Sequence, residues 1–83
     1  MKVTFKLFAG LSQYLPANAQ RHEVELDVPD GTTPHALIES HNVPLELVHL
    51  VLVDGIYLPP DQRTTRALRD GEALAVFPPV AGG

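Results

Sequence analysis

The sequence predicts an α+β domain, with one main helix packed on one face of a mixed sheet of four to five strands. Three observations predict it. Residues 2–8 and 22–28 alternate apolar and polar positions with a period of two, the mark of half-buried strands. Residues 33–41 combine helix-start chemistry with a short apolar face. Two more β-rich runs, 48–53 and 73–77, follow that helix, so the chain crosses back to a later strand after it. With 83 residues and 45% apolar content, the chain makes one domain with a small core.

In the first strand Val3, Phe5 and Leu7 point inward and Lys2, Thr4 and Lys6 outward. Phe8 breaks this phase: it is large and apolar yet falls on the polar side. Residues 9–20 read as a loop or broken turn in which Leu11, Tyr14 and Leu15 gain some burial. The second strand turns Val24, Leu26 and Val28 inward and Glu23, Glu25 and Asp27 outward. Pro29-Asp30-Gly31 then reverses the chain, because proline presets φ and glycine accepts positive φ. Thr33 is an N-cap and Pro34 suits the first helical position, where a missing N–H costs nothing. Ala36, Leu37 and Ile38 supply the apolar face of helix 34–41. It ends around Asn42, since Pro44 forces Val43 out of the helical region. Residues 48–53 form a strand closed by Asp54-Gly55, and a short strand around Ile56-Tyr57-Leu58 stops at Pro59-Pro60. Asp70-Gly71 introduces the last strand, Ala73 to Phe77, with Leu74 and Val76 inward. The expected organisation is a domain over 1–77 and a flexible tail over 78–83.

Composition excludes several functions. Without cysteine there is no disulfide, thiol nucleophile or thiolate metal site. His35 and His41 are six residues apart, on different helix faces, so the four histidines read as surface residues and no metal site is expected. No nucleophile elbow or glycine-rich phosphate loop occurs, and Asp61 and Asp70 lie in loops, so no self-contained catalytic site is expected. A net charge of −4, with Arg63, Arg66 and Arg69 flanked by Asp61, Asp70 and Glu72, argues against nucleic acid and suits either solubility or docking on a basic partner surface. No apolar run reaches membrane-spanning length and no leader-like segment opens the chain, so the expectation is a cytoplasmic protein without membrane attachment.

Two features point to function. Phe8 and Phe77 are out of phase with their strands' core positions, as are Leu50 and Leu52. If the first and last strands are neighbours, these residues share one outward face, and a contiguous apolar patch marks a partner site. The last residues are Pro78-Pro79-Val80-Ala81-Gly82-Gly83. Two prolines favour a stiff, extended segment that reaches about 18 Å from the body. Two glycines let the backbone lie flat in a narrow channel. The expected working group is the carboxylate of Gly83.

The segment Asp70–Gly83, above all Phe77-Pro78-Pro79-Val80-Ala81-Gly82-Gly83, resembles the ending of the MoaD/ThiS sulfur-carrier proteins. Val3–Ala9, Val24–Thr32 and Val51–Gly55 are similar to other parts of that family, and the phrase Phe77–Gly83 is closer to the small subunit of molybdopterin synthase (molybdopterin converting factor subunit 1) than to the thiamin carrier. The resemblance implies a ubiquitin-like β-grasp fold. It implies that a ubiquitin-activating-type adenylyltransferase uses ATP to adenylate Gly83, that Gly83 becomes a thiocarboxylate, and that Gly82 lies beside it in the partner's channel. It further implies that the tail enters a molybdopterin synthase large subunit, donating sulfur for the molybdenum or tungsten cofactor. Phe8, Leu52, Phe77, Pro78, Pro79, Val80 and Ala81 would then contact partners. The chain itself would bind no cofactor and serve as a non-catalytic subunit, monomeric or weakly dimeric through the apolar sheet face. Thr33–Val48 is shorter than the helical excursion usual in that small subunit, so the acceptor stays open. Alternatives are a carrier for thiamin, cysteine or tRNA thiolation, and a ubiquitin-like modifier conjugated through Gly83.

Overall fold

Val3, Phe5 and Leu7 turn one face of β1 (Lys2–Leu7) wholly inward, each 1% exposed or less. The computed structural model describes residues 1–79 and builds a five-stranded sheet around that strand. β2 (Glu23–Asp27) pairs antiparallel with β1, setting Val24 opposite Phe5 and Leu26 opposite Val3. Val24 is buried, whereas Leu26 and Val28 are only half-buried because β2 is an edge strand. β3 (Leu50–Val53), β4 (Ile56–Tyr57) and β5 (Ala73–Phe77) complete the order β2-β1-β5-β3-β4. β5 runs parallel to β1 and antiparallel to β3. Its Leu74 and Val76 are fully buried, Leu74 between Phe5 and Val53 and Val76 between Leu7 and Val51.

Helix α1 (Pro34–Ser40) covers this apolar face with Pro34, Leu37 and Ile38. Thr33 caps it, its hydroxyl oxygen accepting the Ala36 N–H at 3.1 Å, and Pro34 occupies the first turn. Asn42 leaves the helix at φ 61°, a left-handed conformation that asparagine tolerates. Ala36 is exposed, so the inward stripe is Pro34, Leu37 and Ile38, spaced as one face of a helix.

The turns do more than reverse the chain. Asp54 and Gly55, at φ 50° and 81°, form the primed two-residue turn whose twist matches a hairpin. Asp54 also accepts the Ala73 N–H on its carboxylate at 2.8 Å and donates its own N–H to the Ala73 carbonyl. Asp70 accepts the Lys2 N–H at 2.7 Å, and Gly71 donates to the Lys2 carbonyl. The start of β5 is thereby fixed to both neighbouring strands.

Several segments differ from the sequence expectation. Ala9–Tyr14 is a 3-10 helix that buries Leu11. Leu45–Leu47 and Pro60–Gln62 are single 3-10 turns, and β3 starts at Leu50 because Val48 caps the first of them. His41 is half-buried, its ring 4.9 Å from that of Phe5. Two arginines of the long β4–β5 connection, Arg63 and Arg66, are structural. Arg63 is 9% exposed and donates its Nε–H to the Leu58 carbonyl at 3.0 Å, while its own carbonyl accepts the His35 N–H. Arg66 makes a two-pronged ion pair with Glu72 at 2.7 and 2.6 Å, and Glu72 also accepts the Arg69 N–H. No helix among the described residues is long and apolar enough to cross a membrane. The sheet reaches Phe77, and the tail from Val80 onward lies outside the described residues.

The hydrogen bonds from Arg66, with that from the Arg69 N–H, hold the Glu72 carboxyl below its ordinary range. A depressed carboxylate contributes stability that is complete above the unfolded pKa, about 4.3, and is lost as pH falls through the lower folded value. Glu72→Gln is expected to lower stability at neutral pH by about 1–2 kcal/mol, after allowance for solvent around Arg66. It should also flatten the acid limb of the stability profile. Urea unfolding of both proteins as a function of pH checks this; parallel acid limbs would remove Glu72 from the account.

Candidate functional site

The outward side chains of the sheet fall into two halves. Alternation along β2 and β1 puts Glu23, Glu25 and Asp27 opposite Lys6, Thr4 and Lys2, a charged half with Lys2 3.8 Å from Glu25. Along β5, β3 and β4 the same face carries Ala73, Ala75 and Phe77, then Leu50 and Leu52, then Tyr57. Leu50 lies opposite Phe77, and Leu52 lies between Ala75 and Tyr57. These apolar side chains are half-buried, except Tyr57, which is 51% exposed. α1 lies on the other face, so none of the described elements covers them.

Phe8 completes the patch from the end of β1. The parallel pairing of β1 and β5 brings it beside Phe77, and the rings stack with centroids 4.3 Å apart and planes 2° from parallel. The His22 ring also lies against Phe8, at 4.3 Å between centroids and tilted by 34°. The backbone there is held from both flanks. Phe8 donates its N–H to the Val76 carbonyl at 3.1 Å, and His49 donates to the Phe77 carbonyl at 3.0 Å. The chain therefore leaves the sheet at Phe77 from its central strand, with the apolar half of the face around it.

Phe8, Leu52 and Phe77, singled out from phase and resemblance, are brought to one face. Pro78 follows half-buried and Pro79 exposed. Val80, Ala81, Gly82 and Gly83 lie outside the described residues. Sequence reasoning missed Tyr57 and His22 as members of the face. The signals were present: Tyr57 follows a two-residue turn that sets it opposite Leu52, and the β1–β2 register carries His22 to the end of β1, beside Phe8. Among the described residues no group of three or more histidine and carboxylate side chains is placed to hold a metal ion. The described part of the site is an apolar half-face at the root of the tail, with His22 and Tyr57 at its margins.

The profile of the Mut7-C ubiquitin family matches residues 1–82. The fold is similar to that of SAMP1 from Haloferax volcanii, with 27% identity over the whole of both chains and a TM-score of 0.67. A provisionally named molybdopterin converting factor subunit 1 from Pyrococcus furiosus shares 30% identity over 95% of this chain and 98% of its own, also with a TM-score of 0.67. Subunit 1 of the molybdopterin-converting factor of Helicobacter pylori, solved in complex with subunit 2, shares the fold at 16% identity, with full coverage of both chains and a TM-score of 0.62. No curated protein sequence is significantly similar to the chain. The architecture is the ubiquitin-like β-grasp, and the chain belongs to the Mut7-C ubiquitin family, among the ubiquitin-like proteins of the MoaD/ThiS type.

Proposed function

We propose that this protein is a sulfur carrier that acts through the C-terminal carboxylate of Gly83. In this reading the ionised carboxylate attacks the α-phosphorus of ATP in the active site of an activating adenylyltransferase, and pyrophosphate leaves. A sulfur donor at the oxidation level of sulfide then displaces AMP from the acyl adenylate, leaving a thiocarboxylate. Adenylation is needed because a bare carboxylate has no adequate leaving group. The partner brings the catalytic groups, so this chain contributes a docking face and a tail.

The observation that carries the reading is the stacked Phe8–Phe77 pair at the tail root, set in the apolar half of the sheet face. Such a face grips a partner while the residues after Pro79 enter its active site. The acceptor we favour is a molybdopterin synthase large subunit. The Pyrococcus similarity and the Helicobacter pylori complex of subunits 1 and 2 support that choice. ATP is then a substrate of the partner and is not held by this chain.

Intact mass after incubation with ATP, a sulfur donor and the host's activating enzyme tests the proposal. The expected shift equals exchange of one oxygen for sulfur, and it disappears when Gly83 is deleted. Lysine-linked adducts without that shift would point instead to a protein modifier. Gly82→Ala is expected to keep the melting temperature of the parent and to lose activation, because a methyl group enters a channel fitted to glycine; normal activation of this variant would contradict the tail mechanism. Phe77→Ala is expected to weaken large-subunit binding by about tenfold or more while costing only ~1 kcal/mol of stability. A loss of roughly 3–5 kcal/mol in chemical denaturation, as for a core phenylalanine, would mean that Phe77 chiefly supports the fold.

A further inference from the structure

We propose that the cavity between α1 and the Pro60–Arg63 turn is a binding site for a small aliphatic carboxylate, held by Arg63. The cavity has a volume of about 170 Å³ and is lined by His35, Ile38, Leu45, Val48, Pro60 and Arg63. It lies on the helix side of the sheet, away from the Phe8–Phe77 face, and the sulfur-carrier reading makes no use of it.

Arg63 is the reason the cavity needs a ligand. It is the buried charged side chain of the described core, 9% exposed. Its Nε–H is satisfied by the Leu58 carbonyl, but Nη2 is buried without a hydrogen-bond partner among the described residues. No acidic side chain among them comes within ion-pairing distance of it. Arg66 shows the contrast, with both terminal nitrogens engaged by Glu72. A buried cation without a counter-charge is strongly unfavourable, and an orphaned donor adds to the cost. Arg63 lines the adjoining cavity, so an anion there supplies the missing counter-charge, while Nη2 itself stays closed off from it.

The remaining walls select the kind of anion. Ile38, Leu45, Val48 and Pro60 are apolar and receive a hydrocarbon body. A strongly hydrated ion such as phosphate has nothing to set against those apolar walls and is disfavoured. A cavity near 150 Å³ accepts a molecule the size of benzene, so this one admits about seven non-hydrogen atoms. Those limits describe a short branched monocarboxylate such as 3-methylbutanoate. A free acid and the C-terminal aliphatic residue of a peptide present the same group.

The test is titration of the ¹⁵N-labelled full chain with 3-methylbutanoate, following the His35 and Arg63 amide signals and Arg63 Nε–H. We expect saturable shifts with a Kd on the order of millimolar, and binding of the neutral 3-methylbutanamide at least about tenfold weaker. Leu45, at the mouth and 51% exposed, offers a variant that leaves Arg63 in place. Leu45→Glu should reduce carboxylate binding by about tenfold or more with little change in melting temperature, because it sets a negative charge at the opening. Tighter binding of N-acetyl-valine, which is 3-methylbutanoate bearing an acylated amine, than of 3-methylbutanoate assigns the site to a peptide end, and the reverse order assigns it to a free acid. Absence of saturable shifts, equal binding of acid and amide, equal binding of inorganic phosphate, or insensitivity to Leu45→Glu would each overturn the proposal.

Discussion

The structure depends on the central position of β5. The strand is hydrogen-bonded along both edges, parallel to β1 and antiparallel to β3, and it is the last strand among the described residues. Its inward residues, Leu74 and Val76, sit in the middle of the core with no solvent exposure. Its outward residues, Ala73, Ala75 and Phe77, form the floor of the apolar half of the opposite face. One strand therefore joins the core, the apolar half of the opposite face and the root of the tail. Fold stability and placement of the tail root are in this way a single property.

Short polar links position that strand. Asp54 and Asp70 each spend a carboxylate on a backbone N–H, one at Ala73 and the other at Lys2. Glu72, just before β5, is fastened to Arg66 and to the Arg69 N–H. These contacts bring the long β4–β5 connection back to the sheet at a fixed height. The same connection passes under the start of α1, where Arg63 receives the His35 N–H and Leu68 donates to the Thr32 carbonyl. The helix, capped by Thr33, is thus seated by a loop as well as by its apolar stripe.

Most of this was legible in the sequence wherever a local signal had a period or a cap. Alternation located β1 and β2, and Asp70-Gly71 located β5 to the residue. Thr33-Pro34 marked the helix start. Phase mismatch at Phe8 and Phe77 pointed to a shared face before any pairing was known, and the stacked rings bear that out. The rest depended on tertiary contacts. A 3-10 helix such as Ala9–Tyr14 is too short to display a period. Ala36 belongs to an apolar triplet but falls outside the stripe that the helix turns inward. Arg63 reads as one of three loop arginines, and only the packing of the loop under α1 buries it. His22 and Tyr57 join the face through register, which follows from pairing and not from composition.

The central claim is that the chain is one rigid body up to Phe77, so that the tail starts from a fixed point. Native-state hydrogen exchange at the Phe8 and His49 amides tests it most directly, because these two N–H groups hold the Val76 and Phe77 carbonyls at the root. The account predicts protection close to that of the core amides of Val51 and Leu74, reached only by global opening. Exchange of these two amides through a low-energy local opening, while the core amides stay protected, would contradict it.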